Sequence, residues 1–131
     1  MNDTIFQKII RREIPATIVY EDNECIAFLD IHPVRKGHVL LLPKEAFTWF
    51  EEVPNETIEK IFVLAKKLAR AMKASLGVEY IQIVIEGVEV PHFHIHLIPG
   101  KVGVKNAEWH HEKYEEGEMT TFAEKIKKLI N

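Results

Sequence analysis

A single cysteine, Cys25, stands in a chain of 131 residues. One thiol can neither close a disulfide within the chain nor supply a cysteine-based zinc site, which excludes both kinds of cross-link. Its setting in the apolar run ECIAFLD predicts a buried, inert thiol. Also missing is any Lys/Arg run dense enough to follow a phosphate backbone. Seventeen basic residues are outweighed by twenty acidic ones, for a formal net charge of -3, so nucleic acid is not an expected partner. No stretch reaches the apolar length of about 20 residues that a membrane span requires. The opening MNDTIFQKII turns amphipathic where a signal peptide would have its apolar centre. A cytoplasmic protein with no membrane partner is expected. Internal repeats and low-complexity tracts are absent from the sequence as well.

What is present has an ordinary globular balance, 47% hydrophobic and 28% charged. The length suits one domain over residues 1–131, burying roughly two-thirds of the surface of its unfolded form. Asp3 is a candidate N-cap for a short helix with Ile5, Phe6, Ile9 and Ile10 on one face, closed before Pro15. TIVYED and ECIAFLD read as a hairpin turning at Asp22 and Asn23, and HVLLLPK as a strand covered on both sides. From Asn55 to Leu76 apolar residues recur at helical spacing, with Asn55 as a possible cap and Gly77 at the left-handed terminus. EYIQIVIE and HFHIHLIP then form an antiparallel pair joined by EGVEVP. Gly100 to Met119, with Trp109, His110 and His111, is polar and irregular. A last helix is predicted after Thr121, where Thr121 and Glu124 match a capping box. Together these give an α+β domain: an antiparallel sheet of about five strands with helices on one side.

The most informative segment is PHFHIHLIP, in which His92, His94 and His96 alternate with Phe93, Ile95 and Leu97. Strand periodicity places the imidazoles on one face and the apolar residues on the other. A merely wet face would be better served by Ser, Thr or Lys. Two chemical readings remain open. The histidines could ligate zinc with an outside ligand from His38, His32 or Glu89. Alternatively, a neutral imidazole could attack phosphorus while its neighbours donate hydrogen bonds, a route that needs no metal.

HFHIHLI resembles the His-φ-His-φ-His-φ-φ signature of the histidine-triad superfamily of nucleotide hydrolases and transferases. IFQKIIRREIPATIVYED, AFLDIHPVRKGHVLLLPK and IEG precede it in the order found in the histidine-triad nucleotide-binding, or nucleoside phosphoramidase, branch. That resemblance implies a homodimer of α+β subunits which binds a purine nucleotide, an AMP or GMP moiety, without a cofactor. Such a protein would cleave the bond between the α-phosphate and a leaving group. His94 would be the nucleophile and His96 would sit beside the α-phosphate. His92 and His38 would form a histidine relay. Ile5, Phe6, Ile9, Phe28, Leu29 and Ile31 would enclose the nucleoside, and Asp30 would hold the ribose hydroxyls. Related transferases carry Gln at the third triad position, so His96 favours a hydrolase. Hydrolysis of dinucleoside polyphosphates, and nucleotide binding with little turnover, are the alternatives.

Three departures from the pattern accompany the match. Where many relatives have a Cys-x-x-Cys and a later His that bind zinc, this chain has Thr4, Gln7 and Ala46, so structural zinc is not expected. Ile85 stands in the place of a usual Asn. EGVEVP is too short for the usual Gly-Gln-Ser/Thr loop, and Glu89 falls near the missing hydroxyl, where a carboxylate would repel phosphate.

Overall fold

The computed structural model describes residues 3–104 and 111–130. Along the chain run α1 (Ile5–Ile10), β1 (Ile18–Glu21), β2 (Cys25–Leu29), β3 (Val39–Pro43), a 3₁₀ turn at Phe50–Glu52, α2 (Asn55–Leu76), β4 (Tyr80–Ile85), β5 (Ile95–Gly100) and α3 (Glu118–Lys128). The strands form one five-stranded sheet in the order β1-β2-β3-β5-β4, and every neighbouring pair is antiparallel. The α+β architecture expected from the sequence is therefore the one observed. Trp109 and His110 lie outside the described residues.

Alternation along the strands divides the side chains between two faces. Ala27, Leu29, Val39, Leu41, Ile95 and Leu97 pack with Ile61, Leu68 and Met72 of α2 and Ile126 of α3. Ile26, Phe28, Leu40 and Leu42 point the other way and meet Phe6 and Ile9 of α1. The helices thus lie on both sides of the sheet, not one. Periodicity identifies which residues of a helix are buried but carries no information about the face it meets. Cys25 is fully buried at 0% exposure, and burial pushes its thiol up to about 11.

Four boundaries differ from the sequence expectation. Asp3 does not cap α1. Thr4 does, its Oγ1 accepting from Gln7 N–H at 3.2 Å while Gln7 Oε1 accepts from Thr4 N–H at 3.0 Å, and Asp3 instead pairs with Arg11. Pro54 takes the N-cap of α2, so Asn55 begins the helix without capping it, while Gly77 does end it in the left-handed region at φ 65°. α3 starts at Glu118, three residues before the proposed Thr121 box. Finally, β5 begins only at Ile95: Phe93 N–H leaves the ladder for the carbonyl of Phe47 at 2.6 Å, and His92 N–H donates to Val90 O at 2.8 Å.

The polar segment before α3 is ordered by contacts that sequence spacing does not reveal. His111 Nδ1 donates to His32 O at 2.6 Å, and Glu112 N–H donates to Pro33 O at 2.8 Å. Lys36 N–H reaches Glu112 Oε1 at 2.7 Å and Gly37 N–H reaches the Tyr114 hydroxyl at 2.8 Å. The strap holds the 31–37 loop, whose ends carry Asp30 and His38. Gly37 is needed there: its φ is +96°, and a Cβ would come within 2.5 Å of Leu76 Cδ1.

Candidate active site

α1 is only six residues long, so it covers part of its sheet face and leaves a cavity of about 280 Å³ beside it. Ile5, Phe6 and Ile9 supply one wall, and Phe28, Leu29 and Leu40 line the sheet side. Asp30 and Ile31 stand where β2 runs out, Glu86 to Val90 close the far side, and His94 and His96 open onto the space from β5 and its approach. Ten of the twelve residues singled out from the sequence line this one cavity. The other two, His38 and His92, are buried behind it at 1% and 0% exposure. Opposite one another in register across the sheet lie Phe28, Leu40, His96 and Val84, which explains how apolar and imidazole side chains come to share one face.

Hydrogen bonds fix the tautomer of each buried imidazole. The amide N–H of Val34 can only donate, and it donates to His38 Nδ1 at 3.1 Å. Neutral His38 therefore carries its proton on Nε2, which donates to His96 Nδ1 at 3.0 Å. His96 in turn keeps its own proton on Nε2, at the cavity. Asp30 Oδ2 is 3.8 Å from His38 Nε2, beyond hydrogen-bond reach. His92 Nε2 donates to the Pro43 carbonyl at 2.7 Å, pinning the turn before β5. The carbonyl of His92 then accepts from His94 Nδ1 at 2.6 Å. With Nδ1 protonated, the lone pair of His94 sits on Nε2, which accepts no hydrogen bond from any described residue.

Burial pushes all four imidazoles towards neutrality. It takes His38 down to about 3, aided by His96, and His96 down to about 4, aided by His94. His92 and His94 are also lowered by burial first. For His94 the His92 carbonyl, Asp30, Glu86 and Glu89 oppose that shift. Burial raises Asp30, against the His32 N–H that donates to its Oδ1 at 2.9 Å. The site thus presents one bare ring nitrogen and one N–H donor on adjacent rings, their centroids 4.8 Å apart. His92 Nδ1 is buried without a partner among the described residues, a cost of about 1–3 kcal/mol.

The donor atoms decide what metal chemistry is available. Thr4 and Gln7 are spent on the reciprocal cap of α1 and Ala46 has no donor, so the residues at these three positions do not fit a zinc ion. Asp30, His38 and His96 do bring ligand atoms within 4.8 Å of one another. A cation there would have to displace the proton shared by the two rings. Of the outside ligands considered with the triad, His38 belongs to this group, whereas His32 and Glu89 do not.

Sequence reasoning did not single out Glu86, Val88, Val90, Leu40 or the Ile14-Pro15-Ala16 turn, all of which line the cavity. Glu86 and Val90 had a usable signal. They flank the short connection between β4 and the triad, and a hairpin that tight holds its own turn beside the residues it delivers. The Ile14 to Ala16 wall had none, because only the placement of α1 brings it there.

Three comparisons with known proteins point to one family and one fold. The family model described as HIT domain matches residues 11–103. An uncharacterized HIT-like protein from Methanocaldococcus jannaschii is 43% identical over 100 residues, covering 72% of this chain and 77% of that relative. The crystal structure of a Hit-like protein involved in cell-cycle regulation from Bartonella henselae superposes with a TM-score of 0.88 at 30% identity, over 98% of this chain and 97% of the other. That of a hypothetical histidine triad nucleotide-binding protein from Sulfolobus tokodaii gives 0.85 at 26% identity, over 96% and 91%.

Proposed function

The chain belongs to the HIT-domain family, and from that premise we propose that it is a nucleotide hydrolase acting on purine nucleoside monophosphates whose α-phosphate carries an amide or related leaving group. The observation that carries the reading is the bond from His94 Nδ1 to the His92 carbonyl, which leaves Nε2 bare at the cavity. In the first step Nε2 bonds to the α-phosphorus and the bond to the leaving group breaks, the amine departing with a proton from solvent. Water then attacks the nucleotidyl-histidine, releasing AMP or GMP and restoring His94. His96 Nε2–H donates to a phosphate oxygen. A neutral imidazole N–H is a hydrogen-bond donor here and not an acid. His38 sets that tautomer, and His92 aims His94. Asp30 holds the ribose hydroxyls, and the apolar wall of Phe6, Ile9 and Phe28 takes the base.

Mass spectrometry of protein quenched during turnover of an AMP amide tests this directly. A nucleotide mass on the peptide containing His94 is expected. AMP release without any adduct, at equal rates in wild type and His94→Ala, would sink it. The Asp30, His38 and His96 group favours a metal-binding alternative, for which stoichiometric metal in fresh protein and activity lost to chelators are the signatures. We also propose a homodimer. β4 is an edge strand, and Ile83 and Ile85 are 45% and 38% exposed along it, so two copies could pair there. Sedimentation of wild type against Ile83→Lys reads the outcome.

A further inference from the structure

Among the described residues, the cavity lacks the basic side chains that a nucleotide site would be expected to use. Among the described residues that line it, every formally charged side chain other than histidine is acidic: Asp30, Glu86 and Glu89. No described Lys or Arg lines it. Glu86 and Glu89 form no ion pair with a described residue, and both lie within electrostatic reach of His94. His94 itself is 5% exposed, and its Nε2, without a partner, opens into the same space. The site thus contains a nucleophile, a wall suited to a base, and two uncompensated carboxylates on the loop that leads into the triad.

A phosphodiester or phosphoramidate brings one negative charge into this space. A polyphosphate chain brings several more, each repelled by the half-buried Glu86 and the exposed Glu89, most strongly at low ionic strength. A leaving group with its own positive charge reverses the sign of that interaction. We infer that Glu86 and Glu89 form a subsite for a cationic leaving group, an ammonium or guanidinium a few bonds from the scissile phosphorus, and that they select against polyphosphate chains. This rests on the hydrolase reading above and specifies its substrate class. No third ligating side chain joins Glu86 and Glu89 among the described residues, so the pair is not arranged to hold a metal ion that could neutralise a polyphosphate.

Three AMP amides separate charge from reactivity, since the amines released are alike near nitrogen: 1,4-diaminobutane leaves a cationic tail, butylamine a neutral one and 4-aminobutyrate an anionic one. We expect kcat/KM to fall about tenfold at each step in that order at low salt, with the spread narrowing as salt screens it. In the Glu86→Gln/Glu89→Gln double variant the three rates should converge, and Glu89→Lys should favour the anionic tail. An identical order in wild type and double variant overturns the subsite, as does faster turnover of diadenosine tetraphosphate than of the cationic amide, with or without magnesium. If His94-dependent cleavage occurs without charge preference, the subsite fails and the hydrolase reading stands. If none of the amides is cleaved, the hydrolase reading fails, and calorimetry with the same three compounds still decides the subsite. Tightest binding of the cationic amide, lost in the double variant, supports it, and equal or absent binding overturns it.

Discussion

On one face of the sheet a helix of 22 residues and another of 11 lie over Ala27, Leu29, Leu41, Ile95 and Leu97; on the other, a helix of six residues covers Phe28, Leu40 and Leu42 and stops. The same strands supply both faces, so the contrast comes from helix length. At about 1.5 Å of rise per residue, α1 reaches only about 9 Å along the sheet. Beyond its end no described helix replaces it, and the imidazoles of β5 and its approach occupy the gap. Most of the core and the proposed chemistry thereby fall on opposite sides of one layer. A substitution should disturb the one or the other.

The largest effect tests that division at the open face. His94→Ala should lower turnover of an AMP amide by about a thousandfold or more, because it removes the ring nitrogen proposed to attack phosphorus. The melting temperature should hardly move. On the closed face Leu41→Ala, at a position with 0% exposure, should cost about 2–5 kcal/mol of stability while the rate per folded molecule stays unchanged. Chemical denaturation alongside active-site titration measures both. If instead Leu41→Ala damaged turnover at full folding, the two faces would be coupled and the contrast would fail.

Smaller changes sharpen the picture. Asp30→Asn keeps the side chain's size but would weaken the charge-assisted bond proposed between Asp30 and the ribose, so KM should rise about tenfold with kcat less affected. The neutral histidines make a pH experiment informative. Burial holds His94, His96 and His38 below their ordinary range, so kcat/KM should remain level as pH falls through 6.5 and decline only below it. Stability behaves differently. The unfolded chain protonates its histidines near pH 6.5 while folded His38 resists until about 3, so the unfolded state binds more protons between these values and stability falls with acidification across that window. Urea titrations at a series of pH values would show it. The smallest expected effect is Thr4→Ala, about 1 kcal/mol from the lost cap of α1.

Much of this was legible in the sequence, and what was not has a common cause. Hydrophobic periodicity located all five strands and set the ends of α2, because a repeating pattern over many residues is a local signal. The triad stood out because three imidazoles in five residues have few structural uses. Its geometry did not. Alternation implied an unbroken strand from His92, whereas the carbonyl of Phe47, far away in the chain, draws Phe93 out of the ladder and creates the turn that lets the His92 carbonyl reach His94. The strap of Glu112 and Tyr114 was equally hidden, since a side chain that caps a distant loop leaves no period behind it. Helix α1 shows the same limit: its buried stripe was readable, but its choice of sheet face was not.

The lone thiol in β2 has an experimental use. Sealed on every side and with burial holding it protonated at neutral pH, Cys25 should ignore maleimides and spin labels while the protein stays folded. A second cysteine placed at Val88, which is 77% exposed at the mouth of the cavity, would then be the only reactive one. Fluorophores attached there could follow ligand entry in the otherwise native chain.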